Sequence, residues 1–210
     1  MSTGHEGPAA GLSKARIEAL TDGIFAVAMT LLILDIRVPV VANVTQLPRE
    51  LLALWPRCAS YAISFLMLGI YWVGQHNQFH VIRHTDRALL WINILFLMTI
   101  SFVPFSTALL SSYPRQQIAV VVYGGNLIAI GLILYGHWSY ATHGRRLVDP
   151  ELDERTVRLV DRRILIGPAM FGLAIVLSFF SLTAALAVFA LAPLWYFVPG
   201  RIDRHLSGAS

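Results

Sequence analysis

From Ile164 to Val198 the chain reads "ILIGPAMFGLAIVLSFFSLTAALAVFALAPLWYFV", with no charged side chain anywhere in the run. A hydrocarbon core about 30 Å thick needs about 20 mostly apolar residues per helix, so this block is too long for one span. With a turn near Ser178 to Thr183 it makes two short ones. Four further stretches have spanning length: Ile17 to Val38, ending at Pro39, then Leu51 to Gln75, Ala88 to Leu110 and Ile118 to Trp138. The 210 residues are 56% hydrophobic and only 13% charged, which excludes a soluble domain. The fold class is an all-α integral membrane protein with six transmembrane helices.

In a chain of this class the placement of positive charge matters more than the net +4. Six spans put Lys14, Arg16, Arg83, Arg87, Arg145, Arg146, Arg155, Arg158, Arg162, Arg163, Arg201 and Arg204 on one side. Only Arg37, Arg49, Arg57 and Arg115 fall on the other. The bias predicts that both termini are cytoplasmic. It is a topological signal, and no nucleic-acid partner is expected. The organisation is a flexible tail over 1–15, a membrane domain over 16–200 with a cytoplasmic loop over 139–163, and a second tail over 201–210. Within the loop, Asp149 reads as an N-cap, with Pro150 at the first helical position and Glu151 and Asp153 near the positive end of the dipole. The fifth helix is therefore expected to project into the cytoplasm. A signal peptide cut after Ala26-Val27-Ala28 would fall inside an apolar run and place Asp22 in its hydrophobic region, which argues against one. No internal repeat of the kind that builds many transporters is visible.

The first span carries the chemistry. At 100° per residue, Val27, Leu31 and Leu34 fall within about 60° of one another, with Thr30 at the edge of that stripe, whereas Asp22 lies about 140° from Val27. A carboxylate at membrane depth costs several kcal/mol unless paired or wetted. Asp22 is thus expected to turn into the protein, toward Trp72 and His76 of "YWVGQHNQFH", Asn93 of "LLWINILF" and Arg16. Most aliphatic stripes in membrane helices are ordinary helix or lipid contacts, and the residues alone do not set this one apart.

These segments resemble a family. "RIEALTDGIFAVAMTLLILDI" is similar to the first-helix signature Arg-x-x-x-Phe-Ser-Asp of the transmembrane protein 175 family, the lysosomal potassium channel and its bacterial relatives. Leu20 and Thr21 replace Phe and Ser, while Arg16 and Asp22 match. "YWVGQHNQF" and "DRALLWINILFLMTISFVPFSTALL" are similar too. The resemblance implies a potassium-permeable channel in a bacterial cell membrane, formed by four copies of this chain. It implies a pore lined by the first helix, with Val27, Leu31 and Leu34 as apolar rings and Thr30 as a hydroxyl layer near a potassium ion. Arg16, Thr21, Asp22, Trp72, His76 and Asn93 would then hold that helix in place. The family more often has Ile or Leu at the position of Val27.

Independently, the sequence lacks a Thr-Val-Gly-Tyr-Gly filter segment, and its outer links are too short for a re-entrant loop, so any ion path is lined by side chains. Proton-coupled transport using Asp22 and the histidines, a non-conducting scaffold, and a dimer remain open on the residues alone. His76, His80 and His84 share a helical face if the second helix extends that far, but the partner residues of a zinc motif are missing, and no metal or other cofactor is expected. Cys58 is a single cysteine without a disulfide partner. Pro104 should kink the third helix, with Ser101 able to meet the freed carbonyl, and Gly124, Gly125 and Gly131 should allow close packing of the fourth. No enzyme motif frames the Ser, His and Asp side chains.

Overall fold

A computed structural model describes residues 14–197. Residues 1–13 of the first expected tail, the whole of the second with Arg201 and Arg204, and 198–200 of the membrane domain lie outside the described residues. The elements are α1 (Lys14–Leu31, continued by a 3-10 turn Leu32–Asp35), α2 (Leu47–Ala53), α3 (Trp55–Val81), α4 (Arg87–Ser101), α5 (Val103–Ser112), α6 (Gln117–Thr142), α7 (Glu154–Ser178) and α8 (Leu182–Phe197). The protein is an all-helical membrane protein. By length and composition, four stretches among the described residues can cross a bilayer: Lys14–Asp35, Trp55–Val81, Arg87–Ser112 and Gln117–Arg145. The last apolar block folds as the final 15 residues of α7 and the 16 of α8, separated at Phe179 to Ser181.

The core forms around α6, half of whose most apolar stretch is buried inside the chain, against 28% for α1 and for α3. Tyr123, Leu127, Ile130 and Leu134 of α6 meet Met67, Leu68 and Tyr71 of α3, Phe96 and Ile100 of α4, Phe171 of α7 and Phe189 of α8. Two α6 glycines permit this closeness. A Cβ on Gly131 would stand 2.6 Å from the Pro168 ring of α7, and one on Gly124 would stand 3.0 Å from Ile175. Gly125, expected to serve the same purpose, has open space where its Cβ would be. Pro168 lies inside α7 at the contact, and its ring fills the notch that Gly131 leaves.

The third span breaks at Phe102, where α4 gives way to α5 and Pro104 occupies the first turn. The Ser101 hydroxyl does not meet the carbonyl of Ile100 that Pro104 leaves without its usual partner. It donates to the Leu97 carbonyl one turn back, at 2.9 Å.

The end of the molecule holding Lys14 and the α3–α4 and α6–α7 connections is closed by a clip. Ile82 and Val148 form an antiparallel bridge, the Arg83 and His84 amides donate to the Leu147 carbonyl, and the Asp149 amide donates to the Val81 carbonyl. Lys14 reaches into the clip, donating to the Ile82 carbonyl at 3.1 Å. Asp149 is thereby drawn away from the N-cap role expected of it. Its carboxylate accepts from Arg83 at 2.7 Å and from the Glu151 amide at 3.1 Å. Asp153 becomes the N-cap and α7 begins at Glu154.

Two predictions follow from this packing. Gly131→Ala should lower the melting point of the purified protein, costing about 1–3 kcal/mol by overpacking against a proline that has no rotamer to yield, whereas Gly125→Ala should not. The clip should loosen in acid. The Glu151 amide and the Arg83 guanidinium hold the Asp149 carboxyl below its ordinary range. Its stabilising contribution is complete above the unfolded carboxyl's pKa and declines as pH falls through the lower folded value, so the protection of the Arg83, His84 and Asp149 amides, taken as exchange relative to the intrinsic rate at each pH, should fall below about pH 4.

Candidate functional site

α1 has two unlike faces because its buried positions, Ile17, Thr21, Phe25 and Ala28, recur at helical spacing and continue to Leu32 in the 3-10 turn. They face α3, α4 and α5. The opposite side is uncovered: Val27 is 54% exposed, Leu31 44% and Leu34 66%, and Thr30 and Leu20 are exposed with them. The Thr30 hydroxyl donates to the Val27 carbonyl at 2.8 Å, so its lone pairs remain available as acceptors. At Leu32 the helix tightens to 3-10 geometry, in which positions three apart eclipse, and Leu34 therefore comes into line with Leu31.

The rotation of α1 is held by a buried triangle of neutral side chains. Thr21 donates to the Ile17 carbonyl at 2.9 Å and accepts from the amides of Gln75 at 3.4 Å and Asn93 at 3.3 Å. Gln75 also donates to the Asn93 side-chain oxygen at 2.9 Å. One donor and two acceptors are all that a threonine hydroxyl has, and all are used. Gln75 was not singled out in the sequence. Its signal was a carboxamide in an apolar span, one turn beyond Trp72.

Asp22 meets Trp72 as expected, but at the rim of the fold and not inside it. In the single chain it is exposed at the edge of the α1–α3 contact and accepts from the Trp72 indole N–H at 2.8 Å. The physical reason is the 100° step from Thr21. A neutral hydroxyl can be buried among amides cheaply, and turning it inward leaves the carboxylate at the rim, where desolvation is smaller. His76 stacks on the Trp72 ring, with centroids 5.6 Å apart, so it orients the donor. Among the described residues no hydrogen bond or ion pair joins Asp22 to His76, Asn93 or Arg16, and Arg16 is exposed. His76 and His80 lie on α3, but the helix ends at Val81 and His84 falls in the clip, so the three imidazoles do not share a helical face.

The fold and this helix define an all-helical membrane protein whose first helix is locked on one face and uncovered on the other. The family described as "Endosomal/lysosomal potassium channel TMEM175" matches residues 16–104, the segment from Arg16 through the Pro104 break. A protein of Streptomyces collinus named as a potassium channel is 38% identical over 185 residues, which is 86% of this chain and 90% of that one. The chain belongs to the TMEM175 family. Its structure is similar to the crystal structure of a lysosomal potassium-selective channel TMEM175 homolog from Chamaesiphon minutus, with a TM-score of 0.77 and 34% identity, covering 87% of this chain and 95% of that one. The human protein named as an endosomal/lysosomal proton channel, TMEM175, is 28% identical over 171 residues, and this chain spans only 34% of its length.

Thr21→Val keeps the shape but removes the hydroxyl, stranding both amides. It should destabilise the purified protein by about 1–3 kcal/mol in thermal melts, with Thr21→Ser near neutral. Asp22→Asn, which preserves an acceptor for Trp72 at an exposed site, should stay within about 0.5 kcal/mol.

Proposed function

We propose that the chain is one subunit of a homotetrameric, potassium-permeable cation channel whose pore is lined by four copies of α1. The observation that carries this reading is the uncovered face of α1, Val27, Thr30, Leu31 and Leu34, on a helix whose other face is fixed by the triangle. Six spans, cytoplasmic termini and a bacterial cell membrane fit the clustering of Lys14, Arg83, Arg145 and Arg146 at the clip end. The relative from Streptomyces and the homolog from Chamaesiphon carry potassium-channel names, which supports the choice of ion. The protein works as a passive conduit and not as an enzyme.

In this reading Val27, Leu31 and Leu34 each form an apolar ring. Such a constriction controls conduction by how readily water enters it, without a carbonyl filter. Four Thr30 hydroxyls lie between the rings, and their free lone pairs offer a partly dehydrated cation replacement oxygens. Asp22 and Trp72 sit at the edge of the α1–α3 contact, where an adjoining subunit can meet them.

The test is potassium flux from liposomes containing the purified protein, against sodium, for the native chain and for Val27→Ala and Leu31→Ala. Both substitutions should raise flux severalfold and reduce discrimination between the ions. Flux indistinguishable from empty liposomes in all three contradicts the channel. Asp22→Ala should reduce the tetramer recovered while leaving ion preference unchanged; folded tetramer with altered preference contradicts the role given to Asp22. A second reading, proton-coupled transport through Asp22 and the histidines, is favoured by the exposure of Asp22. Saturable flux abolished by Asp22→Asn would select it.

A further inference from the structure

Away from α1, an open groove of about 550 Å³ runs between α4 and α6 toward the clip end. Its inner walls are Ile92 and Leu95 of α4 and Ile133 of α6, and its outer rim is Tyr140, His143 and Arg146. Ile133 and Tyr140 are seven positions apart on α6, so the groove passes from apolar to basic over about 10 Å. Gly136 lies along it with nothing within 4 Å of where a Cβ would stand, which leaves the middle of the groove open.

The rim is organised around Tyr140. Gly144 and Arg145, with φ of 61° and 54°, turn the chain back at the end of α6. This brings the Arg146 guanidinium over the Tyr140 ring, 5.7 Å from its centroid, and within 3.2 Å of its hydroxyl. The hydroxyl donates to Asp86, whose other oxygen caps α4 by accepting from the Leu89 amide, and Arg146 stands 3.7 Å from the same carboxylate. Asp86 offsets one positive charge. Arg87 beside it has no carboxylate within ion-pair distance among the described residues, and His143 adds a further nitrogen donor. Arg146 is the charged side chain that lines the groove itself, and more than half of it is uncovered, so the rim presents a positive charge to the groove.

We infer that this groove seats one anionic phospholipid, its acyl chain against Ile92, Leu95 and Ile133 and its phosphate at Arg146 and His143. Charge complementarity selects the headgroup, since basic pockets between membrane helices at the cytoplasmic face suit anionic lipids. The apolar length beneath the rim selects a lipid over a free phosphate, because a soluble anion leaves those walls unfilled. The inference needs the clip end to lie at a membrane surface and stands whichever cation the protein passes.

The test is native mass spectrometry of the full-length protein in detergent, titrated with phosphatidylglycerol or with phosphatidylcholine. It uses the native chain, Arg146→Gln, Gly136→Leu and, as a control away from the groove, Arg158→Gln. Phosphatidylglycerol should be retained in preference to phosphatidylcholine. Arg146→Gln should weaken that retention about fivefold, and Gly136→Leu, which fills the groove where no neighbour is met, should also reduce it; the control should not. Equal retention of the two lipids, or retention unchanged in both groove variants, overturns the inference. Loss in Arg146→Gln with full retention in Gly136→Leu also overturns it, because the site would then recognise phosphate without the lipid chain. Each variant is first checked for the native oligomer mass, so that misfolding is not read as lost binding.

Discussion

The hydrogen-bonded triangle of Thr21, Gln75 and Asn93 sets the rotation of α1, and the placement of every other side chain on that helix depends on it. Each such bond within a membrane contributes about 0.6 to 2 kcal/mol, a modest amount by itself. Its effect on rotation is larger than the sum suggests. A turn of one residue would carry Asp22 into the place of Thr21 and bury a carboxylate against two amides, at a cost of several kcal/mol. The same turn would lift Phe25 and Leu32 out of the core. Polar and apolar contacts thus select the same orientation, and Val27, Leu31 and Leu34 are left uncovered as a consequence.

That orientation is useful only if the surrounding helices are fixed, and they are fixed differently at different depths. In the apolar middle, shape dominates: the Pro168 ring enters the gap left by Gly131, and aromatic rings from α3, α4, α7 and α8 close around α6. At the clip end, polar contacts dominate. Backbone pairing between 81–84 and 147–149 ties the α3–α4 link to the α6–α7 link, and Lys14 joins the start of α1 to it. The exposed ion pair of Arg83 and Asp149 adds little energy alone, but it fixes the register of the backbone bonds beneath it.

Much of this arrangement was legible in the sequence because membrane helices announce themselves by length and apolarity. The two faces of α1 could be separated by helical arithmetic, and Pro104 marked the break between α4 and α5. What could not be read was competition between neighbouring polar groups. Asp149 and Asp153 both suit an N-cap, and only the approach of Arg83, from a distant part of the chain, draws Asp149 into the clip. Asp22 attracted attention as the charged residue, yet the buried partner is its neighbour Thr21, since a neutral hydroxyl loses less on leaving water. Gln75 was overlooked because its role depends on Asn93 arriving from the next helix. His84 departs from the histidine series because the clip ends α3 at Val81.

The central claim is that the uncovered face of α1 lines the ion path. Its most direct test places single cysteines on α1 in a Cys58→Ser background and follows potassium flux as a thiol-reactive cation is added. Cysteine at Thr30, Leu31 or Leu34 should make flux sensitive to the reagent, while cysteine at Ala28, on the buried face of the same helix, should not. Sensitivity at Ala28 with none at Thr30, Leu31 and Leu34, or flux indifferent to the reagent at all four positions, would contradict the account.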